Sequence, residues 1–265
     1  MREVFNNGKI RARLISYPPG ATFERHLHSN FYASIMLLGS MQEETGSGTA
    51  EYLSPHFALM PPDFAHANMY GKYGALELVF DFETDMLHTD FDLHRAERNA
   101  HRVDSTQVAA LVSALVNKPA CWREDGFTDL LALALIAEDR VEKSPPPWLS
   151  RARDYFDDDP SAARVASVAH ACGVHRVHLV RVFRDYLGMT PTQYRLQAMT
   201  IRAVALMQTE SDNVSAAAAS AGFADASHFA REVRKRTGIS PSSLKNLHDY
   251  NRLGDQMLHL FSRGR

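Results

Sequence analysis

A pattern that occurs twice between Ser161 and Gly238 constrains this chain more than anything else in it. The first copy reads SAARVASVAHACGVHRVHLVRVFRDYLGMTP and the second NVSAAAASAGFADASHFAREVRKRTGISP. Each holds a short Ala-rich helix, a Gly turn, and a basic helix closed by Gly and then Ser/Thr-Pro. That layout is a helix-turn-helix, whose second helix enters the major groove of DNA. Ala169 precedes Gly173 by four residues, and Ala218 and Gly222 repeat the spacing. The small side chain lets the second helix cross closely, and glycine accepts the left-handed backbone of the turn.

Helical periodicity divides each second helix into two faces. In the first copy Val165, Val168 and Cys172 join Leu179, Val182, Phe183 and Tyr186 in an apolar set, leaving Val177, Val180, Arg181 and Arg184 on the other side. In the second, Phe223, Phe229 and Val233 are core positions, leaving Ser227, His228, Arg231, Arg234 and Lys235. One copy alone reads equally as a helical core with a solvated charged side, and two in tandem favour DNA reading. Arg181 and Arg231 are the expected base readers, because guanidinium pairs bidentately with guanine, while Val177 and Val180 can touch thymine methyls. Arg176, Arg184, Arg234 and Lys235 are expected on phosphates, where contacts position without specifying. Between the copies, Pro191 to Thr209 reads as one helix opened by proline. At 1.5 Å per residue it spans ~28 Å, against ~34 Å between successive major-groove faces. One chain can therefore reach two neighbouring groove segments.

These residues resemble the AraC/XylS-type bacterial transcription regulators. The match runs through Leu179, Arg181, Phe183, Gly188-Met189-Thr190-Pro191, Tyr194, Arg202 and Ala205, then Gly222-Phe223, Asp225, Ser227, Phe229, Arg231 and Gly238-Ile239-Ser240-Pro241. It covers about the last hundred residues. Carried over position by position, it implies base-facing sites at Val177, Val180 and Arg181, and at Ser227, His228 and Arg231. The run Ala216 to Ala219 and the segment Ser243-Leu244-Lys245 depart from the family pattern, which points to a weaker grip by the second unit.

The front of the chain reads differently. IRARLISY, YASIMLLG, AEYL, HFALMPP and ALELVFDF are β-rich runs broken by Pro18-Pro19-Gly20, Gly46-Ser47-Gly48 and Pro61-Pro62-Asp63, which suggests a sandwich or small barrel. Gly20, His26-x-His28, Gly39 and Pro61-x-Asp63-x-x-His66 resemble the two motifs of the cupin barrel, a sensory domain that AraC-type regulators often carry. Tyr32 and Ala33 stand where a metal-binding cupin has a Glu, and Asp63 replaces a Gly. His26 and His28 alternate, so both point to one face, and His66 can join them. Two readings of this trio stay open: three imidazoles holding a divalent metal with an open position, or polar groups that, with Tyr32, bond an effector or the backbone.

Further along, Asp104 to Asn117 is a predicted helix capped by Asp104 or Ser105, with Val108, Leu111, Val112 and Leu115 buried. Phe127 to Val141 is apolar around much of its circumference and needs burial on more than one side. In the family such helices form the dimer contact; packing against the barrel is the alternative. Glu142-Lys143-Ser144-Pro145-Pro146-Pro147 is a stiff spacer, Trp148 to Phe156 the next helix, and Ser242 to Phe261 a terminal one.

The expected fold is α+β in two domains. It comprises a cupin-like effector-sensing β-barrel (1–100), a helical dimerisation or packing segment (101–141), a Pro-rich linker (142–148) and an all-α tandem helix-turn-helix domain (149–265). Residues 145–265 carry 16 Lys and Arg against 11 Asp and Glu, a net +5, while residues 1–144 carry 13 against 20, a net −7. A basic back half suits phosphate contact, although +5 alone decides nothing. No run reaches the ~18 apolar residues of a membrane span and no signal peptide opens the chain. Cys121 and Cys172 fall in different predicted domains and read as reduced thiols of a cytoplasmic protein. The resemblance implies a homodimeric transcription regulator, not an enzyme, with double-stranded DNA, a small-molecule effector and RNA polymerase as partners and no required cofactor. The rival reading is a metal-dependent cupin enzyme or metallosensor using His26, His28 and His66, and the enzyme form leaves the tandem repeat unexplained.

Overall fold

Alternating apolar residues in the front half pair into one antiparallel sheet. The computed structural model describes residues 1–82, 99–117, 145–209 and 213–245. Two compact units divide the chain, Met1–Asp139 with Val233–Arg265, and Arg140–Glu232.

In the first unit the strands are β1 (Arg2–Asn6), β2 (Ile10–Tyr17), β3 (Thr22–His26), β4 (Phe31–Thr45), β5 (Gly48–Leu53), β6 (His56–Met60), β7 (His66–Phe82) and β8 (Asn99–Arg102). Their order is β1-β2-β7-β4-β6-β8, with β3 also on β7 and β5 also on β4. The long strands β4 and β7 each serve two sets of neighbours. β7 meets β2 through Ala75–Phe82 and β3 through His66–Met69, while β4 meets β6 through Tyr32–Met36 and β5 through Ser40–Thr45. Register shifts between Met36 and Leu38 and between Gly39 and Met41 bend β4 where it changes partners. A Cβ at Gly39 would stand 2.2 Å from the Gly74 carbonyl oxygen, so only glycine fits that crossing. The expected barrel is thus a bent antiparallel sheet. Among the described residues its terminal strands β1 and β8 pair only with β2 and β6, so bulges curl the sheet without joining its ends.

Pairing in register gives the sheet two different faces. Ala12, Leu14, Ala33, Ile35, Leu78 and Phe80 lie on one and are all almost wholly buried. Ile15, Glu77 and Met36 lie side by side on the other, together with Arg13, Tyr17, Tyr32 and Val79. Helix α1 (Ser105–Asn117) follows, and Asp104 Oδ1 accepts the backbone N–H groups of Thr106 and Gln107 at 2.9 and 3.0 Å, the expected cap. Val108, Val112 and Leu115 are buried. The predicted helix 127–141, Cys121, Glu142–Ser144 and the terminal helix beyond Lys245 lie outside the described residues.

The second unit is helical: α2 (Trp148–Asp158), α3 (Val165–Ala171), α4 (Arg176–Leu187), α5 (Pro191–Thr209), α6 (Val214–Ser220) and α7 (Ala226–Thr237), whose last residues, with α8 (Pro241–Lys245), count with the first unit. Its core is aromatic: Phe183 meets Phe156 and Tyr194 edge-on, at 5.8 and 5.6 Å between centroids. A reciprocal capping box starts α5. Thr190 Oγ1 accepts the Gln193 backbone N–H at 3.2 Å, and Gln193 Oε1 accepts the Thr190 N–H at 2.8 Å. Trp148, at the start of α2, packs against His178 at 5.5 Å. No described helix is long and apolar enough to cross a membrane.

Candidate nucleic-acid interface and histidine cluster

The sequence repeat is also a repeat of hydrogen bonds. In the first copy the Val174 N–H donates to the Ala169 carbonyl at 3.0 Å; in the second, Phe223 donates to Ala218 at 3.0 Å. Gly173 donates to His170 at 3.0 Å and Gly222 to Ala219 at 2.9 Å. Both glycines are left-handed, with φ +69 and +95, which reverses the chain between α3 and α4 and again between α6 and α7. Each second helix also starts on a side-chain cap that sequence reasoning missed. His175 Nδ1 accepts the Val177 N–H at 3.3 Å, and Asp225 Oδ1 accepts the His228 N–H at 2.7 Å. Asp225 is a common cap residue and the signal for it stood in the sequence; His175 is an uncommon one.

The division of each second helix into core and open faces follows the periodicity. Leu179, Val182, Phe183, Phe223, Phe229 and Val233 are buried, whereas Val165 and Tyr186 are only half-buried. Arg176, Arg181 and Arg184 on α4, and Ser227, Arg231, Arg234 and Lys235 on α7, are exposed. Val177 is 64% exposed. Val180 and His228 are half-buried, and His228 lies edge-on to Phe223 at 5.2 Å. Arg181 Nη2 reaches His178 Nδ1 at 3.2 Å. The candidate base readers and phosphate contacts thus occupy the open faces of α4 and α7.

In the sheet unit, His26, His28 and His66 come together. His26 faces His66 in the β3–β7 register, and His28 follows in the loop after β3. One imidazole nitrogen from each lies within 4.8 Å of the others. His28 and His66 are buried and His26 half-buried. Asp63, the residue in place of a glycine, has φ +59, a backbone state that Asp tolerates better than most side chains, and its N–H donates to the His28 carbonyl at 2.8 Å. Burial pushes the His28 pKa down to about 3, with His66, His26 and Arg13 adding to the effect. Tyr32 stacks on His28 at 4.8 Å, which brings together all four residues predicted for the effector pocket.

Beside them is a polar interior that sequence reasoning missed. Arg13, 5% exposed, forms an ion pair with Asp81. Glu77 is buried, and desolvation together with Glu43 pushes its carboxyl up to about 8, against a hydrogen bond from Tyr70 that lowers it. Burial also raises Tyr32 and Tyr70 well above the usual phenol range. Tyr17 stacks on Tyr70 at 4.0 Å. The signal was a pair of charged residues in each of two otherwise apolar strands, Arg11 and Arg13 in IRARLISY and Glu77 and Asp81 in ALELVFDF.

Comparison with known proteins places the helical half. Residues 168–246 match a helix-turn-helix domain family. The arabinose operon regulatory protein of Salmonella typhimurium is 28% identical over 134 residues, covering 46% of this chain and 48% of that protein. The transcriptional activator RhaS of Escherichia fergusonii is 29% identical over 102 residues, covering 38% and 34% respectively. The chain thus spans less than half the length of these curated relatives. The crystal structure of ToxT from Vibrio cholerae with an unsaturated fatty acid bound is similar over 94% of this chain and 98% of that one, at 13% identity and a TM-score of 0.40.

Proposed function

From a C-terminal segment that carries the helix-turn-helix of AraC-type regulators, we propose that this chain is a sequence-specific DNA-binding transcription regulator whose sheet domain senses a small-molecule effector. One observation carries the reading: two turns with the same hydrogen bonds each launch a helix with an exposed arginine-bearing face. Paired units of this kind fit adjacent turns of one major groove. Arg181 and Arg231 read bases, helped by Val177, Val180, Ser227 and His228. Arg176, Arg184, Arg234 and Lys235 hold phosphates and set the register.

The sheet domain (1–100) supplies sensing through His26, His28, Tyr32 and His66. Residues 101–141 supply the homodimer contact and 142–148 the linker. Effector binding shifts the population between arrangements that present the two DNA units differently. The chain works in the cytoplasm as a regulator, with RNA polymerase as its downstream partner, and not as an enzyme.

The test is a fluorescence-anisotropy titration of the full chain against duplexes selected from a random library, repeated across salt concentrations. The expected result is an enriched motif with two half-sites and an affinity that falls steeply with salt. Binding to no duplex, or equal binding to every duplex, overturns the reading.

A further inference from the structure

We infer that His178 is a specificity-determining residue: it holds the Arg181 guanidinium in place, so that α4 selects its bases more stringently than α7. It acts through Arg181 and is a positioning residue, not a base reader. The inference rests on the reading of the chain as a DNA-binding regulator.

The two residues are three apart on α4, a spacing that brings side chains onto one face. His178 Nδ1 lies 3.2 Å from Arg181 Nη2. A guanidinium has only donors, so Nδ1 is the acceptor and the neutral ring carries its proton on Nε2. Of the guanidinium's five N–H groups, one given to His178 leaves four, and a bidentate contact to guanine uses two. Arg181 can therefore be held and still read a base.

His178 is itself seated. It is half-buried where Arg181 is exposed, and its ring meets the Trp148 indole at 5.5 Å between centroids. Trp148 opens α2, and its carbonyl oxygen lies 3.9 Å from the thiol of Cys172, the residue that closes α3. The acceptor for Arg181 thus stands on packed side chains from two other helices. Arginine gives up much rotamer freedom when it binds, and one already held has less to lose. A held guanidinium also cannot swing to a phosphate when the wrong base faces it, so the mismatch leaves its donors unpaired.

The second copy differs. His228-x-x-Arg231 repeats the spacing of His178-x-x-Arg181. His228, however, lies edge-on to Phe223 at 5.2 Å, and among the described residues no hydrogen bond joins it to Arg231. The two rings have different neighbours: Trp148 comes from α2, Phe223 from the turn before α7. The same pair of residue types is therefore held in one copy and loose in the other, and Arg231 must find its orientation on the DNA.

The experiment measures anisotropy of the full chain on its selected duplex and on duplexes with one mismatch in either half-site. His178→Phe keeps a ring against Trp148 and removes the acceptor. His178→Asn returns an acceptor, since its Oδ1 branches from Cγ as Nδ1 does. Circular dichroism melting checks that both fold. The expected result is that His178→Phe loses discrimination at one base pair of the half-site read by α4, by roughly 2–10-fold, the range for freeing one long side chain. Discrimination in the other half-site stays, and His178→Asn recovers most of the loss. Equal discrimination in the parent and folded His178→Phe overturns the inference alone, as does a uniform weakening on every duplex or a loss that Asn does not recover. A parent that binds all duplexes alike overturns the regulator reading and leaves no selectivity for His178 to set. Nitrogen NMR of the free parent is an independent check: the neutral His178 ring should carry its proton on Nε2, and a proton on Nδ1 overturns the hydrogen bond whatever the variants do.

Discussion

The hydroxyl of Tyr194 donates to the Asp157 carboxylate at 2.9 Å and pins the first turn of α5 to the last turn of α2. Arg153 Nε donates to the same hydroxyl at 3.4 Å, and Tyr194 is 4% exposed. Burial, with the Asp157 charge adding to it, raises the phenol pKa well above its usual range, so the hydroxyl keeps its proton across any working pH. Tyr194→Phe keeps the ring against Phe183 and Phe156 but removes a buried donor. It is expected to destabilise the helical unit by ~1–2 kcal/mol in urea unfolding. An unchanged midpoint would mean that water replaces the hydroxyl without loss.

Gly173 and Gly222 occupy equivalent turns yet differ in surroundings. A Cβ at Gly173 meets nothing within 4 Å, whereas one at Gly222 would stand 2.5 Å from the Ser161 Cβ. Gly173→Ala therefore carries only the left-handed backbone penalty, ~1–2 kcal/mol. Gly222→Ala adds a collision and is expected to lose roughly 1–3 kcal/mol more. Thermal melting of the two variants side by side checks the order; equal losses would mean that Ser161 yields freely.

Much of this architecture was legible because local chemistry and tertiary packing agree. IRARLISY is β2 residue for residue, and the predicted helix from Pro191 to Thr209 is α5. Proline at the first helical position and a Thr-x-x-Gln box fix that start before any packing is considered. Strands β4 and β7 are longer than the runs that announced them, because Gln42 to Thr45 and His66 to Gly74 are polar or glycine-containing and gain strand structure only from neighbours. Strand β1 was missed for the same reason. The histidine trio was legible as a set, although the alternation of His26 and His28 along one strand was not the reason it forms: β3 ends at His26, and His28 joins from the loop that follows. The Arg13–Asp81 pair was not, because it joins residues on β2 and β7 and only the sheet register brings them near.

Glu77 makes stability depend on pH in a defined direction. Its carboxyl rises from the ordinary 4.5 to about 8 on folding, so the folded chain holds that proton more tightly than the unfolded one. The contribution is complete below pH 4.5 and is lost as pH rises towards 8. The loss is at most roughly 5 kcal/mol, from ~1.4 kcal/mol per unit. Glu77→Gln, neutral at all pH, is expected to flatten this part of the profile in urea unfolding between pH 5 and 8. Identical slopes in both proteins would place an ionised carboxylate in the folded sheet.

Arg181 and Arg184 are exposed on the same face of α4, one helical turn apart, and are assigned different work. Arg181 lies beside Val177 and Val180 on the face given to base edges, where a bidentate contact to guanine discriminates between sequences. Arg184 lies near the C-terminal end of the helix, where a phosphate contact adds affinity without choosing a base. Arg181→Ala is expected to weaken binding to the selected duplex by ~1–3 kcal/mol and relax preference at one base pair. Arg184→Ala should weaken all duplexes alike and reduce the slope of log affinity against log salt by about 1. Both measurements come from one anisotropy series with matched and single-mismatch duplexes. If Arg181→Ala weakens every duplex equally and also lowers the salt slope, Arg181 is a phosphate contact and sequence reading by α4 falls to its neighbours.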